Sequence, residues 1–291
     1  MTSPADPPPA PEAGEASPFI RVRARVAVLL MLAAGVAVEA LRRTVLGGVP
    51  EAWWDPAGSL LFMLALGGLL VAYLRRRAVR VGRLVGDAPR GWRAWGLAAV
   101  AAPLLLLSLG TAALQFSLFV TLAPGMAAGL LADDGTAAAA AGTGAVLLTA
   151  LAGVTAAVVE ELLFRGVLLT RWEQRWGAWR AALASSLAFG LLHLDPVGAF
   201  VFGMAMCCLY LRTRSLLVPM LAHGLNNAIV ALSDLGDASG TVALQPAADL
   251  APDWGAGALA LAVSLPALVW FFRACPPRRT WRLPYYDSAG F

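Results

Sequence analysis

Lysine is absent from the 291 residues, so all 22 formal positive charges are arginine. Charge of either sign is scarce, at 14% of residues against roughly 25% in an average soluble domain. Three cysteines are too few for a disulfide framework. Polar composition is too low, and the 59% apolar content too high, for a disordered chain. There is no P-loop, no dinucleotide fingerprint and no internal repeat. The net charge of +4 is broken into short clusters between apolar runs, which argues against a nucleic-acid partner. Histidine occurs only twice, as His193 and His223.

What is present is apolar sequence in long blocks. Eight segments, at about 24–46, 57–74, 96–122, 143–169, 180–194, 197–211, 215–233 and 255–272, carry almost no charge. Backbone groups in lipid must satisfy one another, so these segments are expected to be helices. The expected fold is all-α: a polytopic membrane bundle of about eight transmembrane helices in a bilayer. At about 1.5 Å per residue, the fifth and sixth segments fall short of a ~30 Å core and need shielding by neighbours. Residues 1–19, with six prolines and Asp6, Glu12 and Glu15, read as a solvated extension rather than a signal peptide. The transmembrane domain is expected over 20–274 and a short tail over 275–291.

Arginine placement sets an orientation. With the N-terminus inside, 19 of the 22 arginines fall on inner connections and the tail. Arg42 and Arg43 fall outside, and Arg165 lies within a span. Outer loops carry aspartates, including Asp133, Asp134 and Asp195. Tryptophans gather at both interfaces, with Trp53, Trp54 and Trp254 outside and Trp92, Trp95, Trp172, Trp176 and Trp179 inside. Both termini are therefore expected in the cytoplasm. Alanine- and arginine-rich, lysine-free usage points to a bacterial cytoplasmic membrane. Cys207 and Cys208 read as packing residues, Cys275 as a candidate acylation site, and Gly153 with Ala157 as a close helix contact.

Ionisable groups inside a span are costly and mark function. The fourth segment holds Glu160, Glu161 and Arg165. Glu161 and Arg165 are spaced i,i+4 and can pair, while Glu160 lies about 100° away around the helix without that partner. This division suits Glu160 for proton chemistry, with Glu161 and Arg165 in support. The fifth segment ends at His193 after Phe189, and the seventh carries His223 and Asn227 on one face. Counted from the nearest inner arginine, Glu160, His193, His223 and Asn227 lie about 14–20 Å deep, on three helices. A glutamate with imidazole can deprotonate water, and imidazole or carboxamide N–H groups can stabilise an oxyanion. Glu160, His193 and His223 also match a zinc site with an open water position. Either chemistry hydrolyses an amide, with or without the metal.

Glu-Glu-x-x-x-Arg (160–165), Phe-x-x-x-His (189–193) and His-x-x-x-Asn (223–227) resemble the three ordered motifs of the CPBP family. That family comprises type II CAAX prenyl endopeptidases and bacteriocin-processing or immunity (Abi) proteins. The resemblance covers 160–227 and implies an eight-helix intramembrane protease fold. It implies that Glu160 activates water with His193, that His223 and Asn227 serve the oxyanion or a metal, and that Glu161 and Arg165 support them. The implied partner is a membrane-associated protein or peptide substrate. A non-catalytic scaffold or bacteriocin immunity factor is the competing reading, and a proton-coupled transporter a third.

Overall fold

The computed structural model describes residues 18–127, 142–238, 252, 254–275 and 285, with the side chains of 233–238 left aside. The expected N-terminal extension up to residue 17, residues 128–141 and nearly all of the tail lie outside the described residues.

Helices follow the apolar blocks. They are α1 (Ala24–Thr44), α2 (Glu51–Arg76), the short α3 (Val81–Val85) and α4 (Trp92–Gly96), and α5 (Ala101–Leu122). α6 (Gly142–Glu161) runs through a π-helical stretch, Leu162–Leu169, into α7 (Thr170–Leu191). α8 (Pro196–Thr213), α9 (Leu217–Ala238) and α10 (Trp254–Ala274) complete the described elements. No strand occurs among the described residues. The chain is a polytopic helical bundle.

Six of the described helices are long and apolar enough to cross a membrane, and the apolar part of α9, 217–232, is shorter. One of the six is the continuous stretch 142–191, which breaks at Gly177. There φ is 77° and ψ 161°, a backbone state that glycine alone adopts without strain. Two arms on either side of Gly177, together with α9, bring the arrangement to about eight. The sequence suggested a loop after residue 169. Instead the helix continues through Trp172 and Trp176, whose rings stack 5.8 Å apart, and turns only at Gly177.

Shielding of the short sixth segment is what α8 displays. Its Met204–Leu211 run is buried throughout, and it packs against α7, α5 and α9. α6 packs between α2 and α9. The α6–α9 contact is close because Gly153 has no side chain: a Cβ there would sit 3.1 Å from Asn227 Cβ. On the arginine-rich side, the end of α3 is sewn to the end of α8 and the α8–α9 turn. Leu216 N–H donates to Val85 O at 2.7 Å, and the Tyr210 hydroxyl donates to Leu84 O at 3.0 Å. The two arginines expected outside are each matched to a carboxylate. Arg43 pairs with Glu39 at 2.6 Å, and Arg42 reaches Glu51 at 3.7 Å while lying over the Trp54 ring.

All three thiols are buried. Burial pushes the Cys275 thiol above its usual range, opposed by Arg212 nearby. Cys275 is thus a poor acylation site in this fold. A membrane-permeant maleimide should leave Cys207, Cys208 and Cys275 unlabelled in folded protein and label all three after denaturation, read by intact mass.

Candidate active site

The centre of the site is a charge that the bilayer cannot hydrate. Arg165 is fully buried, as is Glu161 one turn before it, and the two pair at 2.8 Å. The guanidinium also donates from Nη2 to Gly203 O on α8 at 3.1 Å. Its flat face lies over Phe189, 4.7 Å from the ring centroid. Arg165 itself lies in the π stretch. The Ser185 hydroxyl on α7 donates to a carbonyl of the π stretch, Phe164 O, at 2.9 Å. All eight residues of that stretch are buried.

Glu161 Oε1 accepts a second bond, from His223 Nδ1 on α9 at 2.9 Å. An ionised carboxylate only accepts, so the proton sits on Nδ1. The Nε2 lone pair is then left facing Glu160, whose Oε2 is 3.7 Å away. His223 is buried, packed edge-on against Phe202 at 4.8 Å and Phe189 at 5.8 Å. Glu160 is 17% exposed. Adjacent glutamates therefore face different surroundings: Glu161 lies in a dry pair with Arg165, and Glu160 at the rim of the same cluster. Sequence spacing had left Glu160 without a partner. The partner comes from α9, on the face of His223 opposite Glu161.

His193 lies just past the last turn of α7, not within it, and is exposed. Its Nδ1 is 2.7 Å from Phe189 O, and a carbonyl only accepts, so Nδ1 carries the proton and Nε2 its lone pair. Its ring lies 4.2 Å from the Phe189 ring. The 4.2 and 5.8 Å steps through Phe189 bound the separation of the two imidazoles at about 10 Å. His193 makes no direct bond to Glu160; water would have to bridge them. Asn227 donates from Nδ2 to Gly153 O at 3.0 Å. Gly153 precedes Glu160 by seven residues, so it lies on the same face of α6, two turns and about 10 Å along the axis.

As donors for a metal, these residues do not fit well. No three His, Cys, Asp or Glu side chains converge on one point among the described residues. Glu161 is already committed to Arg165 and His223, and His193 is turned along its own helix.

Phe189 was legible only as a motif letter, yet it touches both imidazoles and the guanidinium. Asp195 was read as a loop acid. It caps α8 and bonds α5, through Thr111 at 2.6 Å and Gln115 at 2.5 Å. Gly203 contributes only its carbonyl, for which sequence carries no signal.

The segment 142–229, which spans this cluster, matches the family model for "Type II CAAX prenyl endopeptidase Rce1-like". Over this segment the chain is similar to the CPBP family. Similarity to a curated relative agrees: "Putative membrane peptidase YdiL" of Bacillus subtilis (strain 168) is 27% identical over 92 residues. That stretch covers 31% of this chain and 38% of the relative. No solved structure matches the chain. The matched segment and the buried cluster coincide: α6, the π stretch, α7, α8 and most of α9.

Removing one partner of a buried ion pair costs about 3–5 kcal/mol, because the other charge is left bare. Arg165→Met should therefore lower the thermal midpoint of the detergent-solubilised protein sharply. The Glu161→Gln/Arg165→Met double variant should recover part of that loss, measured in the same unfolding assay.

Proposed function

We propose that the protein is an intramembrane endopeptidase that hydrolyses a peptide bond with water activated by Glu160 and His193. The observation that carries this reading is the line Arg165–Glu161–His223–Glu160. A buried charge pair fixes one imidazole tautomer and presents its Nε2 to a second, more accessible carboxylate. An acid–base group oriented by a neighbour that is itself oriented is the arrangement water activation needs.

A water that donates one hydrogen to the Glu160 carboxylate and the other to His193 Nε2 gives the first as a proton to Glu160 as its oxygen attacks the substrate carbonyl carbon. The carbonyl electron pair moves onto oxygen, and the second N–H of the Asn227 carboxamide is the donor for that oxyanion. Glu160 then returns the proton to the leaving nitrogen as the C–N bond breaks, releasing a carboxylic acid and an amine. His223 Nε2 accepts from the Glu160 carboxyl while Glu160 holds the proton, and His193 Nε2 holds the second hydrogen of the water. A metal-free route uses every residue in its observed pairing. A zinc route would need Glu160, His193 and His223 to rearrange.

The substrate is a membrane-associated protein or peptide. The protein resides in a bacterial cytoplasmic membrane with both termini inside, a placement supported by its arginine bias. The paired Arg42 and Arg43 soften the two exceptions.

The test is cleavage by protein reconstituted in nanodiscs, with a quenched prenylated CAAX peptide and a set of quenched transmembrane peptides. Glu160→Gln should lower turnover by about 10²–10⁴-fold with an unchanged thermal midpoint. A Glu160→Gln protein that cleaves at the wild-type rate ends this reading.

A further inference from the structure

His193 stands on the four-residue connection 192–195 between α7 and α8, with Leu194 beside it fully exposed. Backbone bonds tie its start to α7: Leu192 N–H to Phe189 O at 3.2 Å and His193 N–H to Gly190 O at 3.0 Å. Its other end is held at Asp195, whose backbone carbonyl accepts from Ala199 N–H at 2.9 Å and whose side chain makes the remaining bonds. Asp195 Oδ1 accepts from Gly198 N–H at 2.9 Å, capping α8, and from Gln115 Nε2 at 2.5 Å. Asp195 Oδ2 lies 2.6 Å from Thr111 Oγ1. The Thr111 hydroxyl has one proton and three acceptors in reach. The carboxylate is nearer than Leu107 O at 3.0 Å or Ser108 O at 3.2 Å, and it is charged. Gln115 Nε2 has two protons and uses the second on Thr111 O at 3.0 Å.

The arrangement is tightly fitted. Thr111 and Gln115 are spaced i,i+4 on α5, so one face presents both donors. Gly198 leaves the space in which they meet: a Cβ there would run into both the Asp195 carboxylate and the Thr111 hydroxyl. A cap alone needs one acceptor and no glycine at its third position. The extra bonds join the His193 connection to a helix that carries none of the three motifs.

We propose that Thr111 and Gln115 are positioning residues: by clamping Asp195 they hold the 192–195 connection so that His193 keeps Nδ1–H on Phe189 O and presents Nε2 to the site. The catalytic consequence rests on the proposed protease reading, whereas the clamp itself is a statement about His193 alone. Releasing the clamp frees the connection to shift, and a misplacement of about 1 Å can cost up to roughly 10²-fold in rate.

The chain's two histidines make the test direct. In protein labelled with ¹⁵N-histidine, only His193 and His223 contribute imidazole signals, assigned with His193→Gln and His223→Gln. Wild type should show His193 as a single Nδ1–H tautomer. In Thr111→Val/Gln115→Leu, His193 should average between tautomers while His223 stays in place. Turnover should fall on the order of tenfold with KM unchanged, and Thr111→Ser should retain both properties. If the double variant does not fold, Thr111→Val alone must move the His193 signals part of the way. Unchanged His193 signals overturn the proposal, as does an equal shift of His223, which would mean general loosening. Active Glu160→Gln together with shifted His193 signals would remove the protease reading and leave the clamp.

Discussion

A guanidinium sealed away from water depends on partners inside the protein, and Arg165 gathers three elements of this bundle around it. Its carboxylate comes from the preceding turn, a carbonyl from α8 and an aromatic face from α7. Three elements must therefore arrive in register before the charge is tolerable. Glu161, once held, has a lone pair to spare, and that oxygen recruits His223 from a fourth. On the proposed protease reading, the chemistry of the site and the stability of the bundle share one set of contacts. Mutating the support is expected to weaken both, whereas changing Glu160 at the rim should touch chemistry alone.

The outline of this arrangement is legible in the sequence because membranes simplify the rules. Lipid forces apolar blocks into helices, and arginines follow the inner side, so the segments emerge from hydropathy. Glu161 and Arg165 are spaced i,i+4 within one apolar block, so their pairing can be read from spacing alone. The rest depends on contacts between distant segments. Nothing in the neighbourhood of Glu160 says that an imidazole 63 positions later will face it. The extension of the fourth helix to Trp176 was hidden because Arg171, Glu173 and Arg175 look like a loop, although they suit a helix leaving the bilayer. Gly177, where the turn occurs, is one glycine among 29.

Asp195 shows a subtler failure of pattern reading. An aspartate before a proline at a helix start is an ordinary cap signal, and the cap is present. Its other two bonds lead to α5, some 80 positions earlier. Thr111 and Gln115 look like neutral residues in an apolar helix until the partner is known. Polar side chains in such helices rarely stand alone, so each invites a search for its acceptor.

The π stretch carries a consequence for how this chain can vary in length. Between Glu161 and Phe189 the backbone passes through wide turns, a helical arm and a glycine break, yet both ends meet at the same guanidinium. Removing one residue from 162–169 would rotate everything downstream by about 100°. Phe189 would swing off Arg165, and Ser185 would lose the Phe164 carbonyl. Insertions and deletions in this interval are therefore coupled to electrostatics, in a way that those in a surface loop are not. The distance in residues between charge and lid is itself a part of the site.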